Sequence, residues 1–144
     1  MSDYDKISAG DFGRGLRGLG INILTPDVTA KVAFLREVFG MSAHQPTADF
    51  AILRYGEAVF QLHSDGTYHA NAYLAMLPEN PPRGQGCELR LYDSDPDEAV
   101  IRAAAFPECT ILHPPEDKPH GLREAIILDA DGYCWIPSKG IPDL

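Results

Sequence analysis

The chain has 144 residues and lacks most features that would place it outside ordinary globular proteins. No apolar run approaches the ~18–20 residues a bilayer-spanning helix needs, so no membrane role is expected. The opening Met-Ser-Asp-Tyr-Asp-Lys has no basic region followed by an apolar core, so no secretory signal is expected there. Cys87, Cys109 and Cys134 are odd in number, widely spaced and without a CxxC. That pattern fits reduced thiols in a cytoplasmic protein better than a disulfide framework. The 12 basic residues never gather into a run, which argues against nucleic acid as a partner. GxSxG, P-loop and HExxH signatures are absent. Gly13-Arg14-Gly15-Leu16-Arg17-Gly18 matches GxGxxG literally, but a dinucleotide fingerprint follows a strand and opens a helix. Here polar sequence precedes it and a strand follows, so residues 1–17 are expected to form a flexible N-terminal arm.

What is present is a globular composition, 44% hydrophobic and 9% aromatic. A chain of this size buries about two thirds of its unfolded surface and needs no metal or disulfide to fold. One domain, or two very small units, is the expectation from length. The net charge of −9 is uneven: residues 1–72 carry 6 basic and 8 acidic side chains (−2), residues 73–144 carry 6 and 13 (−7). A binding cleft would take its negative potential from the second half.

The pattern of elements occurs twice. Leu19–Thr25 reads as a strand, Asp27 as the cap of a helix over about Val28–Phe39, and Gly40 as its stop. Phe50–Tyr55 and Ala58–His63 form a hairpin through Gly56-Glu57, and Tyr73–Leu77 is a further candidate strand. Residues 78–86, with three prolines and two glycines, read as a linker. Then Cys87–Tyr92 is a strand, and Asp95-Pro96 caps a short helix to Ala105. Thr110–His113 is extended, Pro114–Gly121 a loop, and Glu124–Leu128 and Tyr133–Ile136 a second hairpin around Asp129-Ala130-Asp131-Gly132. The two helix caps lie 95 − 27 = 68 residues apart, which sets the repeat. Residues 18–144 are therefore one domain of class α+β, made of two tandem βαβββ modules, about 18–77 and 87–140.

Alternation along the strands puts Leu19, Ile21 and Ile23 toward the helix and Gly20, Asn22 and Leu24 on the other face. The same parity turns Glu88, Arg90 and Tyr92 away from the second helix, as solvent-exposed sheet or as pocket lining. Arg90 and Arg123 could hold an anion by forked hydrogen bonds, or pair with Glu88 and Glu124.

Three segments resemble the vicinal oxygen chelate superfamily, which includes glyoxalases, bleomycin-resistance proteins and extradiol dioxygenases. They are Leu19–Asp27, Phe34–Gly40 and Gly121–Tyr133. The resemblance covers about residues 17–140 and implies a cupped mixed sheet with helices outside. It also implies four metal-ligand positions, which fall at Gly20, Gln61, Glu88 and Ile136. Glycine and isoleucine cannot ligate, and Gln61 with Glu88 is too few for a tight transition-metal site. No metal and no other cofactor is therefore expected, although a rebuilt His63/Glu88/His120 site is geometrically conceivable.

The residues read as ligand contacts are Asn22, Gln61, His63, Glu88, Arg90, Tyr92, His120 and Arg123, with Phe50, Tyr55, Tyr68 and Tyr73 as candidate aromatic walls. The expected function is metal-free binding or sequestration of a small molecule. The alternatives are a metal-dependent lyase, isomerase or dioxygenase with Glu88 as ligand or general base, and a non-catalytic dimeric scaffold. A homodimer is implied by the resemblance.

Overall fold

A computed structural model describes residues 3–143. The chain forms two compact units, one from residues up to Arg36 and Gly40–Met76, the other from Glu37–Phe39 and Leu77 onward. Each unit has its own four-stranded mixed sheet, and the strand orders are β1-β4-β3-β2 and β5-β8-β7-β6. The two orders correspond strand for strand, so the repeat read from the helix caps is a repeat of topology.

In the first unit, residues expected as a flexible arm instead carry helix α1 (Ala9–Gly15), capped by the Ser8 hydroxyl, which accepts from Asp11 N at 3.1 Å. Tertiary contacts organise this polar segment. Phe12 is buried and meets the Tyr4 ring edge-on at 5.8 Å. Gln45 Nε2 donates to the carbonyls of Tyr4 and Ile7 at 2.7 and 2.9 Å. Strand β1 covers only Asn22–Thr25. The expected start at Leu19 fails because the chain leaves β4 before Ile21, whose carbonyl still accepts from Gln61 N at 3.1 Å, through Gly18 at φ 74° and Gly20.

Helix α2 (Val28–Phe39) begins where Asp27 accepts from Ala30 N at 3.0 Å and stops at Gly40, whose φ of 70° glycine adopts without strain. Its Val28, Val32 and Leu35 are buried, as are Ile23, Ala51 and Leu62 on one face of the sheet. Each of the valine, leucine and isoleucine side chains contributes about 1.5–3 kcal/mol.

Strands β2 (Ser42–His44), β3 (Phe50–Tyr55) and β4 (Ala58–Ser64) complete the first sheet. The candidate strand over Tyr73–Leu77 is instead a 3-10 turn at Leu74–Met76. Asn71 captures it locally: its side chain accepts from Tyr73 N at 2.8 Å and its carbonyl from Leu74 N at 3.1 Å.

The second unit contains β5 (Glu88–Tyr92), α3 (Pro96–Ala103), β6 (Thr110–Asp117), β7 (Leu122–Leu128) and β8 (Cys134–Gly140). Asp95 caps α3 by accepting from Asp97 N and Glu98 N at 2.9 and 3.2 Å. Strand β6 runs through Pro114 and Pro115, expected as loop, because it is an edge strand with register shifts there.

Residues 78–86 pack onto the β7–β8 turn. Arg83 N donates to Asp131 O at 2.7 Å. Gly132, at φ 96°, has no room for a side chain: a Cβ would lie 2.8 Å from Pro82 Cα. Asp129 ties the same turn, accepting from Asp131 N (2.9 Å), Tyr133 N (3.1 Å) and Trp135 Nε1 (2.8 Å). Among the described residues no helix is long and apolar enough to cross a membrane.

Candidate functional site

The parallel ladders place the two repeats in the same register. Asn22 lies opposite Gln61 on β1 and β4, and Arg90, 68 residues after Asn22, lies opposite Ile136 on β5 and β8. Gln61 and Ile136 are thus equivalent positions.

On the second sheet, alternation puts Glu88, Arg90 and Tyr92 on one face with Cys134, Ile136 and Ser138. Glu124 joins them from β7, opposite Ser138. Arg90 extends across the intervening strand β8 and donates from Nη1 to Glu124 Oε2 at 2.7 Å. Its Nε donates to Glu88 Oε1 at 3.2 Å. His120, on the turn before β7, places Nε2 3.4 Å from the same Glu124 oxygen. The Glu124 side chain is 6% exposed, whereas those of Glu88 and His120 are 55% and 49% exposed.

Burial pushes the Glu124 carboxyl upward, but its bonds to Arg90 and His120 outweigh this and hold it below its ordinary value of 4.5. The Glu124 bond in turn raises Arg90. Two carboxyl groups and one guanidinium share this face, with a histidine at its edge.

Arg123 belongs elsewhere. One residue from Glu124, it projects to the opposite side of β7 and makes a forked pair with Asp97 of α3, Nε at 2.8 Å and Nη2 at 2.9 Å. Its Nη1 donates to Asp117 at 3.0 Å. It clamps helix to sheet and does not join Arg90, contrary to its expected place among the ligand contacts. Tyr92 does lie on the Arg90 face and is exposed.

On the first sheet, Gln61 and His63 share a face with Asn22 and Phe50. His63 Nε2 lies 3.0 Å from Gln61 Oε1. Its ring sits between Phe50 and Tyr68, with centroids 5.2 and 5.5 Å away and both contacts edge-on. Tyr68 comes from a 3-10 turn (Asp65–Tyr68) directly after β4, and its hydroxyl accepts from Asn22 Nδ2 at 3.4 Å. Burial lowers the His63 pKa, because partial loss of water disfavours the charged imidazolium. This face offers a neutral imidazole, two amides and two aromatic rings. Tyr73, also considered as a wall, is exposed.

Of the four metal positions implied by the resemblance, Gly20 precedes β1 and has no side chain, and Ile136 is 0% exposed. Among the described residues, no three His, Cys, Asp or Glu side chains are placed to hold one ion. These residues do not fit the chelating donor set.

The residue that sequence reasoning undervalued is Glu124, weighed only as a partner for an arginine. Its central place depends on strand order, which has no local signal.

No protein-family model and no curated protein matches the chain. Solved structures do. A glyoxalase/bleomycin resistance protein/dioxygenase family enzyme from Burkholderia phytofirmans PsJN superposes with a TM-score of 0.70 at 22% identity, covering 84% of this chain and 96% of that one. TioX from Micromonospora sp. ML1 is 25% identical with a TM-score of 0.60, over 86% of this chain and 100% of the other. A lactoylglutathione lyase from Agrobacterium tumefaciens matches at 22% identity and a TM-score of 0.60, over 86% and 93%. The likeness in each case is one of fold.

Proposed function

We propose that this protein, whose fold is that of the vicinal oxygen chelate superfamily, binds a small organic molecule without a metal and shields it with no bond broken. The observation that carries this reading is Ile136. It stands at the position equivalent to Gln61, where the resemblance implies a ligand, and it is a fully buried aliphatic side chain. Hydrophobic packing has replaced a donor at that place.

The ligand class that best suits the second sheet carries a cation. Arg90 is committed to Glu124 and Glu88, so it has little left to offer an anion. Glu88 is the accessible acid of the group, and two carboxylates against one guanidinium leave the face net negative. Tyr92, exposed beside it, supplies an apolar surface. Asn22, Gln61 and His63, with Phe50 and Tyr68, make a second face suited to a planar polar group through hydrogen bonding and ring contact.

Metal analysis of protein purified without chelator, together with calorimetric titration of aromatic amines and their neutral isosteres, tests the proposal. Substoichiometric metal and amine binding weakened at least ~10-fold by Glu88→Gln support it. A stoichiometric metal whose removal abolishes binding overturns it.

One observation favours a catalytic reading. Glu124 sits behind a half-exposed His120, an arrangement that orients an imidazole for proton transfer. Turnover of a bound carbonyl compound, lost in His120→Gln with binding retained, would establish that reading instead.

A further inference from the structure

Beyond that reading, we propose that Ser42, His44 and Asp5 form a nucleophilic site that takes the acyl group of small activated esters and passes it to water. Ser42 and His44 are the first and last residues of β2, the edge strand of the first sheet. Residues two apart on a strand project from one face, so alternation makes the hydroxyl and the imidazole neighbours. Ser42 Oγ lies 3.0 Å from His44 Nε2. The other ring nitrogen, Nδ1, lies 2.9 Å from Asp5 Oδ1. A carboxylate only accepts, so Nδ1 of the neutral ring carries the proton and Nε2 turns its lone pair to the Ser42 hydroxyl. Hydroxyl, imidazole and carboxylate in that order are what make a serine nucleophilic. His44 pairs with Ile52 and Ile52 with Gln61, so this relay stands two strands away from the Gln61 and His63 group.

The carboxylate is placed by contacts of its own. Asp5 N donates to Asp3 Oδ1 at 3.0 Å, and Ile7 N donates to Asp3 O at 3.0 Å, which closes a turn around Asp5. Gln45, the residue after His44, ties that turn to the sheet through the Tyr4 and Ile7 carbonyls. It does so at a φ of 51°, a left-handed conformation that a residue with a side chain holds only where its surroundings impose it. Tyr4 meets the imidazole edge-on at 5.8 Å. The His44 side chain is 18% exposed, whereas Ser42 is open to solvent. The base is thus packed in place and the nucleophile is accessible.

The substrate class follows from that exposure. At the start of an edge strand no enclosing wall selects a large substrate, so the site suits a compact acyl group on a good leaving group. Ser42 Oγ attacks the acyl carbon while its proton passes to His44 Nε2, and Asp5 keeps its bond to Nδ1–H. Arg54 lies directly opposite Ser42 on β3, so a guanidinium leaves the sheet on the same face, and its charge favours the anionic tetrahedral adduct. The adduct breaks its bond to the leaving oxygen, which takes the proton from Nε2. Water then attacks the acyl-serine, giving its proton to Nε2, and Ser42 Oγ recovers that proton as it leaves. The sum is ester and water to acid and alcohol, with no change of oxidation state.

The full chain treated with p-nitrophenyl acetate, and separately with an alkyl fluorophosphonate, tests this by peptide mass spectrometry. Each reagent is expected to modify Ser42, releasing p-nitrophenolate or fluoride. His44→Gln should slow acetyl transfer at least ~10²-fold. Asp5→Asn should slow it as well, and Asp5→Glu, which keeps a carboxylate, should recover part of the rate. The unfolding midpoint should be unchanged in both Asp5 variants, because Gln45 still anchors the turn. His113→Gln removes another histidine that contacts a carboxylate, Glu116 at 3.1 Å, and should leave labelling intact. Ser42 unmodified while lysines or tyrosines react, a rate independent of His44 or of the Asp5 carboxylate, or labelling lost in His113→Gln overturns the proposal.

Discussion

Arg90 and Glu124 are joined by a 2.7 Å ion pair that spans the strand between them, and the carboxylate is almost fully enclosed. Removing either partner leaves the other charge poorly solvated. Glu124→Ala should lower stability by about 1.5–3 kcal/mol, the range for a hydrogen bond to a charged group. Arg90→Met should cost less than Arg90→Ala, because methionine keeps the apolar stem. Urea unfolding curves of the three variants check both statements.

His63 gives the protein a specific response to acid. Its folded pKa lies below the ordinary value of 6.5, so below pH 6.5 the unfolded chain binds the proton more readily than the folded one. Stability should therefore fall as pH drops from 6.5 and level off below the folded pKa. His63→Gln should flatten that decline. The measurement is the denaturation midpoint as a function of pH.

The Glu124 carboxyl should contribute in a separate, more acidic window. Its folded pKa lies below the ordinary 4.5, so its contribution is complete above 4.5 and lost as pH falls through the folded pKa. Glu124→Gln should lose stability at neutral pH yet differ little from wild type at the acid end. Parallel curves would show that the pair is not what titrates.

Gly132 is expected to tolerate no side chain. Its φ of 96° and the backbone of Pro82 and Arg83, both within 3 Å of a built Cβ, leave alanine nowhere to go. Gly132→Ala should cost more than ~2 kcal/mol. Gly140→Ala, with open space around it, should be close to neutral. Thermal unfolding of the two variants makes the comparison.

Arg123 should behave as a structural residue. Its bonds to Asp97 and Asp117 are partly exposed and screened by solvent, so Arg123→Ala should cost little stability and leave ligand affinity unchanged. A large loss of affinity at unchanged stability would return it to the binding face.

Much of the fold was legible because its signals are local. Asp27 and Asp95 cap helices through main-chain amides two or three residues away, and Gly40 terminates one through its own left-handed backbone. Such interactions are written in short stretches of sequence, so the 68-residue repeat could be read from them. The arm was not legible, because α1 draws on Gln45 and on the buried Phe12. Nor was the start of β1, since strand pairing is decided by the neighbour and not by the apolar content of Leu19–Ile21.

The sequence by itself determined that two βαβββ modules follow one another, and that glycine and isoleucine stand where the resemblance implies chelating residues. Tertiary structure decided which charges meet. Glu124 and Arg123 are adjacent in the chain and project to opposite sides of β7, one toward Arg90 and the other onto α3. Alternation alone says that they part; only the strand order β5-β8-β7-β6 puts Arg90 within reach of Glu124. Partners 34 residues apart are chosen by how the strands assemble, and that choice has no short-range physical cause for the sequence to display.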